Sequence, residues 1–330
     1  MVADQAPNDE EDVRMARQRA HRRRVTIIGA GNVGATVAQR ILERGTADVV
    51  LVGHTAGLAQ GKALDLAEAG PLLAHDVSVI GTDDYTDTQE SSVVVVAAGH
   101  ARRPGMSREE LLLPNARIVN RVVEQAAKHS PDAVLVVVTD PLDAMCHVAL
   151  KASGFSAERV IGMAGVLDAA RFRTFVSIEL GVSPANTSAF VLGGHGDSMV
   201  PIPRYSTVGG VPITQLLSPE AVARIVERTR GAGAEIVALL KTGSAYYAAG
   251  AATAVMVDTI LADRHQILPA SAYLQGQYGV ASLFVGVPVR LGRGGVEEII
   301  EVPLSEEERA AFERSGDAVR ALVTQLGRLG

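Results

Sequence analysis

The sequence predicts an α/β protein, with a doubly wound parallel sheet in its N-terminal half and an α+β region after it. The first observation is that short runs rich in Val and Ile alternate with longer stretches of helical periodicity. These runs are apolar on both faces, which is typical of parallel strands covered by helices. The strand candidates are residues 25–28, 49–52, 77–80, 93–97 and 134–138. Helical stretches between them include residues 33–44 and 118–128.

The second observation is a glycine-rich turn directly after the first strand candidate. Gly29, Gly31 and Gly34 follow the spacing Gly-x-Gly-x-x-Gly, and the turn opens a predicted helix. The first glycine permits the tight turn, the second lets the backbone approach a pyrophosphate, and the third allows the helix to pack on the strand. Free N–H groups at the helix N-terminus favour bound phosphates. The N-terminal half is therefore predicted to be a Rossmann domain that binds a dinucleotide.

The third observation is a change of pattern after about residue 150. A glycine-rich segment at 292–295 lies between strand candidates 285–291 and 296–302, and we interpret it as a hairpin turn because no helix follows it. Another strand is predicted at 187–192. Helices are predicted at residues 167–179, 219–231, 235–241, 249–262 and 306–326.

These patterns divide the chain into three predicted parts. Residues 1–24 are an acidic and then arginine-rich tail, which we expect to be disordered. The alternative is that the basic half forms a short helix that contacts a neighbouring subunit or an anionic surface. Residues 25–165 form the dinucleotide-binding domain, and residues 166–330 form an α+β catalytic domain that binds the substrate.

Composition excludes several classes of protein. The 330 residues are 47% hydrophobic, which suffices for a large core, and the net charge of −6 gives no general basic surface for nucleic acid. A single cysteine, Cys146, excludes an internal disulfide and suits a reducing compartment. Apolar stretches are too short to span a membrane, and the first residues lack an apolar signal core. We therefore expect a cytoplasmic protein that binds neither nucleic acid nor membranes.

Three dispersed segments concentrate the polar residues that suit catalysis. Residues 101–108 read Ala-Arg-Arg-Pro-Gly-Met-Ser-Arg, residues 166–171 read Val-Leu-Asp-Ala-Ala-Arg, and residues 193–198 read Gly-Gly-His-Gly-Asp-Ser. This combination of arginines, a histidine and aspartates suits a small dianion that undergoes proton-coupled hydride transfer. Together with the glycine turn, the segments resemble the lactate/malate dehydrogenase family, and within it the lactate-dehydrogenase-like malate dehydrogenases. The resemblance extends from about residue 25 to about residue 323.

The resemblance implies an acid–base group at His195. In the family, the matching histidine protonates the ketone oxygen as hydride arrives and takes the proton back in reverse, and an imidazole that titrates near neutrality suits both directions. Asp168 matches the aspartate that holds this ring in one tautomer. Asp197 is a rival partner because it is close in sequence, and spacing alone leaves both open. Arg171, on the same helix face as Asp168, matches the clamp for the substrate's C1 carboxylate. Arg108 matches the mobile-loop arginine that polarises the reacting carbonyl.

Arg102 is the residue that selects the substrate. Lactate dehydrogenases have an uncharged residue at the matching position, whereas malate dehydrogenases have an arginine that binds a second carboxylate. In a closed pocket, a C4 dicarboxylate balances this charge and pyruvate leaves it unpaired. Arg103 is interpreted as a surface residue. Ser244 and Ala245 match residues that line the pocket in the malate branch. The expected function is reversible hydride transfer between (S)-malate or oxaloacetate and NAD(P).

Two other functions remain open. One is a lactate dehydrogenase or a broader 2-hydroxyacid dehydrogenase, against which Arg102 argues. The other is a nucleotide-binding protein with little catalytic activity, which is supported only by Asp140. The family has asparagine at this position, where the amide contacts both substrate and nicotinamide. An ionised Asp140 facing a dianion is unfavourable, so the side chain is expected to be protonated or turned away. Pro141 matches a cis proline of the family.

The resemblance also implies the positions that bind the cofactor. They are Gly29, Gly31, Asn32, Val33, Gly34, Gly53, His54, Ala98, Gly99, Asn115, Thr139 and Asp140. One of them departs from the family, because Gly53 replaces the acidic residue that binds the adenosine ribose. Loss of that carboxylate also removes repulsion of a 2′-phosphate, to which His54 and Thr55 can donate hydrogen bonds. NAD is the expected cofactor, and the sequence leaves NADP open.

No metal site is expected, because the histidines and the single cysteine show no metal-ligand spacing. Members of the family assemble through apolar helix surfaces. The Ala-rich run 248–254 and the apolar side of residues 33–42 are compatible with a homo-oligomer, either a dimer or a tetramer.

Overall fold

The computed structural model describes residues 23–101 and 109–327. In its N-terminal half, short apolar strands alternate with helices. The strands are β1 (Arg24–Ile28), β2 (Asp48–Val52), β3 (Val79–Thr82), β4 (Val93–Val96), β5 (Val134–Val137) and β6 (Val160–Gly162). The helices are α1 (Asn32–Glu43), α2 (Leu58–Leu73), α3 (Glu109–His129), α4 (Leu142–Ser153) and α5 (Gly165–Leu180).

These six strands are parallel and lie in the order β3-β2-β1-β4-β5-β6. Every residue of β4 and β5 is buried, as expected for strands with helices on both faces. The strand order reverses between β1 and β4, so a crevice opens at their carboxyl ends. The glycine turn follows β1 at this crevice. The predicted doubly wound fold is confirmed.

The C-terminal half adds helices and antiparallel strands. The strands are β7 (Thr187–Ser188), β8 (Val191–Leu192), β9 (Val200–Pro201), β10 (Thr207–Val208), β11 (Val211–Pro212), β12 (Gln266–Gln275), β13 (Ala281–Gly292) and β14 (Gly295–Ile299). The helices are α6 (Ile213–Leu216), α7 (Pro219–Leu240), α8 (Tyr247–Leu261) and α9 (Glu306–Gly327). The antiparallel pair β13–β14 confirms the predicted hairpin. Within residues 23–101 and 109–327, no helix has both the length and the apolar character needed to cross a membrane.

One sheet runs through both halves of the chain. Ser271 of β12 pairs antiparallel with Gly162 of β6, so that β12, β13 and β14 extend the sheet to nine strands. An isolated bridge between Gly193 and Gly286 then attaches the glycine-histidine segment to β13. The sheet extension therefore positions the segment that carries His195.

Several predicted boundaries are wrong. Arg24 begins β1 instead of ending the tail, and β3 lies two residues later than the predicted strand at 77–80. Residues 219–240 form one helix, because Ala232 is buried and packing maintains the helix through the neighbouring glycines. The predicted strand at 187–192 is divided between β7 and β8, which belong to different sheets.

Other elements escaped prediction because of residues that usually interrupt helices and strands. Helix α2 contains Pro71 and two glycines, and β12 contains Pro269. Helix α3 begins at Glu109 instead of at 118 and continues through Pro114. The sequence analysis also left α4 and the three-residue β6 unassigned. Local propensity alone was insufficient at these places, where tertiary packing decides the structure.

The apolar side of α1 is covered within the chain itself. Val37 and Ile41 are fully buried, and α1 packs closely on α8. A Cβ atom on Gly250 of α8 would lie 2.6 Å from Cγ2 of Thr36, so the contact requires glycine. The expectation that this side of residues 33–42 is available for assembly is therefore wrong.

His147 joins α4 to the antiparallel extension of the sheet. Its ring packs edge-on against Phe284 of β13, with 5.0 Å between the centroids, and lies 6.0 Å from the ring of Tyr273 on β12. Nε2 of His147 accepts a hydrogen bond from the Phe284 N–H at 3.1 Å. Burial lowers the pKa of His147 to about 4. The ring is therefore held neutral at physiological pH.

This packing predicts a loss of stability in mild acid that depends on His147. The unfolded chain takes up a proton near the ordinary histidine pKa of about 6.5, whereas the folded ring resists it down to about 4. Stability therefore falls as pH decreases through this window, by about 3 kcal/mol at its lower end. His147→Gln, which retains an acceptor for the Phe284 N–H, should lack this component. Urea unfolding of both proteins at several pH values measures the difference, and parallel pH profiles would contradict the assignment.

Candidate active site

The core of the site is a buried carboxylate shared by a histidine and an arginine. Oδ2 of Asp168 lies 2.8 Å from Nδ1 of His195, and Oδ1 of Asp168 accepts a hydrogen bond from Nη1 of Arg171 at 3.2 Å. The exposed fractions of the Asp168, His195 and Arg171 side chains are 2%, 8% and 13%. Because the carboxylate contacts Nδ1, it favours the tautomer that carries its proton on that nitrogen.

Local structure explains how these side chains meet. Asp168 lies in the first turn of α5, where the helix dipole favours a negative charge, and Arg171 follows three residues later on the same face. His195 lies in the connection between β8 and β9. Asp197 instead lines a different cavity, together with Arg230 and Arg314. Of the two partners that the sequence left open for Nδ1, the structure selects Asp168.

A single cavity brings together residues from both halves of the chain. The predicted site residues that line it are Gly31, Asn32, Val33, Gly99, Thr139, Asp140, Arg171, His195, Ser244 and Ala245. Two buried polar atoms of these residues have no hydrogen-bond partner among the described residues: Nε of Arg171 and Oδ1 of Asp140. Because Arg171 lines the cavity, its guanidinium group is suited to bind an anionic ligand there.

Other predicted site residues lie outside the lining of this cavity. They are Gly29, Gly34, Gly53, His54, Ala98, Asn115 and Asp168. Asn115 is fully buried, and its side chain bonds to the backbone of His100 and to the Asp140 carbonyl at 2.7 Å. It therefore fixes the main chain beside the cavity. Arg102, Arg103 and Arg108 lie outside the described residues.

Asp140 and Pro141 form the turn between β5 and α4. Their peptide bond is cis, as predicted. Asp140 is one of the residues that line the cavity. Oδ1 of its carboxyl group is buried and has no hydrogen-bond partner among the described residues. Its carboxyl group occupies the position where the resemblance leads us to expect an amide.

The glycine turn has the geometry that a dinucleotide needs. Gly29 has φ +116°, and a Cβ there would lie 2.7 Å from the Ala97 backbone. A Cβ on Gly34 would lie 1.9 Å from the Gly29 carbonyl oxygen, so this position is crowded by backbone. A Cβ on Gly31, by contrast, would meet nothing within 4 Å. Helix α1 begins directly afterwards at Asn32, with its N-terminal amides at this open space. The turn therefore fits a bound pyrophosphate.

Gly53 lies at the end of β2, beside this turn. Its N–H donates to the Thr82 carbonyl at 3.0 Å. A Cβ at this position would lie 3.0 Å from the Ala30 Cβ and 3.1 Å from the Ala59 Cβ. A side chain here consequently requires small shifts of both alanines.

Three residues with metal-ligand chemistry meet outside the cavity, namely Asp263, His265 and Glu297. Nδ1 of His265 lies 2.8 Å from Glu297, which also accepts a hydrogen bond from Arg290 at 3.1 Å. Hydrogen bonds from His265 and Arg290 lower the pKa of Glu297. These groups already form an ion-pair cluster with one another.

Two residues that were not predicted from the sequence hold the backbone around His195. Asp143 accepts a hydrogen bond from the His195 N–H, and Ser315 accepts one from the Gly194 N–H. The available signal for Asp143 was an acidic residue among apolar ones at the start of α4. Ser315 gave no signal, because it lies 121 residues from Gly194 in sequence.

The geometry of the glycine turn predicts that Gly31→Ala weakens NADH binding, whereas Gly34→Ala lowers thermal stability. Gly31→Ala adds a methyl group in open space, so the protein should keep its melting temperature but bind NADH more weakly. Gly34→Ala forces a methyl group into the Gly29 backbone and should lower the melting temperature by several degrees. Thermal melts and titrations of nicotinamide fluorescence measure both effects. Equal NADH affinity in wild type and Gly31→Ala would contradict the assigned phosphate position.

Comparisons with known proteins agree with this geometry. Residues 23–162 match the family described as lactate/malate dehydrogenase, NAD binding domain, and residues 165–326 match lactate/malate dehydrogenase, alpha/beta C-terminal domain. The chain is 60% identical to a malate dehydrogenase of Thermomicrobium roseum, over 93% of this chain and 99% of that protein.

Solved structures of the same kind superpose closely. A malate dehydrogenase from Salinibacter ruber is 50% identical with a TM-score of 0.89, over 93% of this chain and 98% of that one. A lactate dehydrogenase from Cryptosporidium parvum, solved with lactic acid and nicotinamide adenine dinucleotide, is 39% identical with a TM-score of 0.92, over 94% and 99% of the two chains. The chain therefore belongs to the lactate/malate dehydrogenase family.

Proposed function

We propose that this protein is an NAD-dependent malate dehydrogenase, which transfers hydride reversibly between (S)-malate or oxaloacetate and the nicotinamide. The observation that carries the proposal is the buried Asp168–His195 pair beside Arg171, in a cavity that is also lined by the glycine turn. Relatives at 51–60% identity that are named malate dehydrogenase support the choice within the family.

The roles of the residues follow from their contacts. Bound nicotinamide supplies or accepts the hydride. His195 donates a proton to the ketone oxygen in the reducing direction and removes it in the other, using Nε2, since Nδ1 contacts Asp168. Asp168 stabilises the protonated ring by its charge. Arg171 lines the cavity, where its planar guanidinium group binds the substrate's C1 carboxylate.

The preference for a dicarboxylate is proposed to depend on Arg102. Arg171 binds the C1 carboxylate, and the guanidinium group of Arg102 is balanced by the distal carboxylate of oxaloacetate. Pyruvate has no second carboxylate and leaves Arg102 without a counter-charge. Ser244 and Ala245 line the cavity and leave room for a longer acid. Arg108 is proposed to polarise the reacting carbonyl. The broader 2-hydroxyacid dehydrogenase stays the second candidate within the same chemistry.

Asp140 is the residue that favours a different class of function. The residue lines the cavity, and its buried Oδ1 has no partner among the described residues. If ionised, it repels a dianionic substrate. A protein with this feature can bind the dinucleotide and yet turn over slowly, so the alternative is a nucleotide-binding protein with little catalysis. Intact contacts among His195, Asp168 and Arg171 argue against that alternative.

The decisive experiment compares substrates and cofactors in one table. Rates of nicotinamide oxidation are measured with oxaloacetate, pyruvate or no substrate, each with NADH and with NADPH. Arg102→Gln should lower kcat/KM for oxaloacetate by on the order of tens to thousands fold and raise activity on pyruvate, because a desolvated charge pair is lost. Arg103→Gln is the matched control and should leave the preference unchanged.

Each outcome of this table selects one function. Oxaloacetate turnover that depends on Arg102 supports malate dehydrogenase. Preference for pyruvate in the wild type indicates the broader dehydrogenase. Dinucleotide binding without turnover of either acid indicates the nucleotide-binding protein. An unchanged preference in Arg102→Gln would contradict the proposed basis of selection.

We also propose that the protein uses NADP in addition to NAD, because position 53 is a glycine. The glycine removes the carboxylate that favours NAD, and His54 and Thr55 offer donors for a 2′-phosphate. Gly53→Asp should raise the ratio of kcat/KM for NADH to that for NADPH by about tenfold or more, since a ribose hydrogen bond is gained and the phosphate is repelled. Gly53→Ala adds the same crowding at Ala30 and Ala59 without a charge, so it should leave the ratio unchanged. Equal ratios in Gly53→Asp and wild type would contradict the proposal.

A homo-oligomer, either a dimer or a tetramer, is proposed as the assembled state. Large apolar side chains are exposed in the single chain, including Leu64 and Leu72 on α2 and Leu239 on α7. Exposed apolar surface of this kind supports contact with another subunit. Light scattering of the purified protein distinguishes the assembled states from a monomer.

A further inference from the structure

The main chain that carries His195 is held by three separate elements. Gly193 exchanges backbone hydrogen bonds with Gly286 of β13, at 2.9 and 3.1 Å. The Gly194 N–H donates to Oγ of Ser315 on α9 at 2.8 Å. The His195 N–H donates to Oδ2 of Asp143 on α4 at 2.7 Å. The amides of three consecutive residues are thus fixed from three directions.

Asp143 differs from Gly286 and Ser315, the other two hydrogen-bond partners of this segment, because it is a buried carboxylate. Its exposed fraction is 4%, and its Oδ1 accepts a hydrogen bond from Oγ of Ser271 at 2.6 Å. Ser271 is itself fully buried on β12. Asp143 also lies in the first turn of α4, where the helix dipole stabilises its negative charge. Its carboxylate is therefore oriented at both oxygens.

Two carboxylates from neighbouring strand-to-helix connections consequently act on the same histidine. Asp143 follows β5 and begins α4, whereas Asp168 follows β6 and begins α5. Asp168 contacts the imidazole ring, and Asp143 contacts the backbone N–H. Because β5 and β6 are hydrogen-bonded neighbours in the sheet, their pairing sets the relative positions of the two carboxylates.

Asp143 also connects His195 to a turn that lines the cavity. It lies two residues after Pro141 and three after Asp140, which is one of the lining residues. The same short turn therefore carries a cavity-lining residue and a residue that fixes the histidine. A shift of this turn displaces both together.

We propose that Asp143 is a positioning residue for His195, which sets where the imidazole lies relative to the bound acid while Asp168 sets the orientation of the ring. The proposal rests on the proposed dehydrogenase function, in which His195 exchanges a proton with the substrate. Misplacement of a reacting group by about 1 Å can cost on the order of a hundredfold in rate. Asp143 therefore affects the chemical step without contacting substrate or cofactor.

Two substitutions distinguish the effect of losing the hydrogen bond to the His195 N–H from the effect of losing the negative charge of Asp143. Asp143→Ala removes the acceptor and should lower kcat by about a hundredfold, with KM for NADH within about threefold of the wild type. Asp143→Asn keeps an oxygen for the His195 N–H and turns its amide towards Ser271 Oγ, which can accept as well as donate. It should recover kcat to within about tenfold of the wild type. With 4-deuterated NADH, the isotope effect on kcat should be larger for Asp143→Ala than for the wild type, because hydride transfer becomes limiting.

Asp258→Ala is the matched control for loss of a buried carboxylate. Asp258 on α8 is also 4% exposed and accepts hydrogen bonds from Arg44 and Thr46. This control should lower the melting temperature and leave kcat and the isotope effect unchanged. If Asp143→Ala does not fold, Ser271→Ala replaces it. That variant frees one oxygen of Asp143 to move and should lower kcat by about threefold to tenfold.

A measurement independent of turnover accompanies the kinetics. Selective ¹⁵N-histidine labelling observes the His195 amide, and its signal is identified by its absence in His195→Gln. The amide hydrogen should exchange with solvent slowly in the wild type and in Asp143→Asn, and rapidly in Asp143→Ala.

The proposal is overturned if Asp143→Ala keeps the wild-type kcat, if kcat of Asp143→Asn is no higher than that of Asp143→Ala, or if amide exchange is the same in all three proteins. It is also overturned if Ser271→Ala, used in place of Asp143→Ala, keeps wild-type kcat. An inactive wild type with oxaloacetate and pyruvate would instead refute the proposed function, while amide exchange still tests the contact.

Discussion

The carboxylate of Asp168 is the group on which the rest of the site depends. It is 2% exposed and contacts both Nδ1 of His195 and Nη1 of Arg171. A buried charge of this kind is stable only while its partners remain in place, and removal of one partner costs several kcal/mol. Under the proposed function, the residues that act on the C1 carboxylate and on the neighbouring C2 oxygen are thus held in fixed relation by one side chain.

The continuous sheet explains how distant parts of the chain meet at this carboxylate. Parallel strands present the glycine turn and the first turns of α4 and α5 at one edge. The antiparallel strands β12 and β13 continue the same sheet and bring Gly286 and Ser271 to the other side of His195. The glycine turn and the segment that carries His195 are therefore connected through one continuous sheet. Residues that lie between them, such as Asp143, can transmit position without touching a ligand.

Much of the framework could be predicted because its signals are local. Uniformly apolar runs indicated the parallel strands, and the glycine spacing indicated the turn after β1. Gly29 and Gly34 need glycine for backbone reasons that the spacing already expresses. By contrast, α2 was missed because Pro71 and its glycines argue against a helix. One side of α1 was interpreted as an assembly surface because sequence alone cannot show that α8 covers it.

The finer parts of the site depend on contacts between residues far apart in sequence. Spacing favoured neither Asp168 nor Asp197 as the partner of His195, and only the family resemblance selected the correct one. Asp143 and Ser315 approach the same loop across 52 and 121 residues, a juxtaposition that no local pattern encodes. Asp140 and Gly53 were identified as departures because the rest of each motif is intact.

The most direct test of this account is the rate of oxaloacetate reduction by Asp168→Asn. The amide can still accept a hydrogen bond from Nδ1 of His195, but the charge that stabilises the protonated ring is lost. The account predicts a fall in kcat of about a hundredfold or more. NADH binding should stay within about threefold of the wild type, since the glycine turn is untouched. A variant that folds, binds NADH and retains wild-type kcat would contradict the central role of this carboxylate.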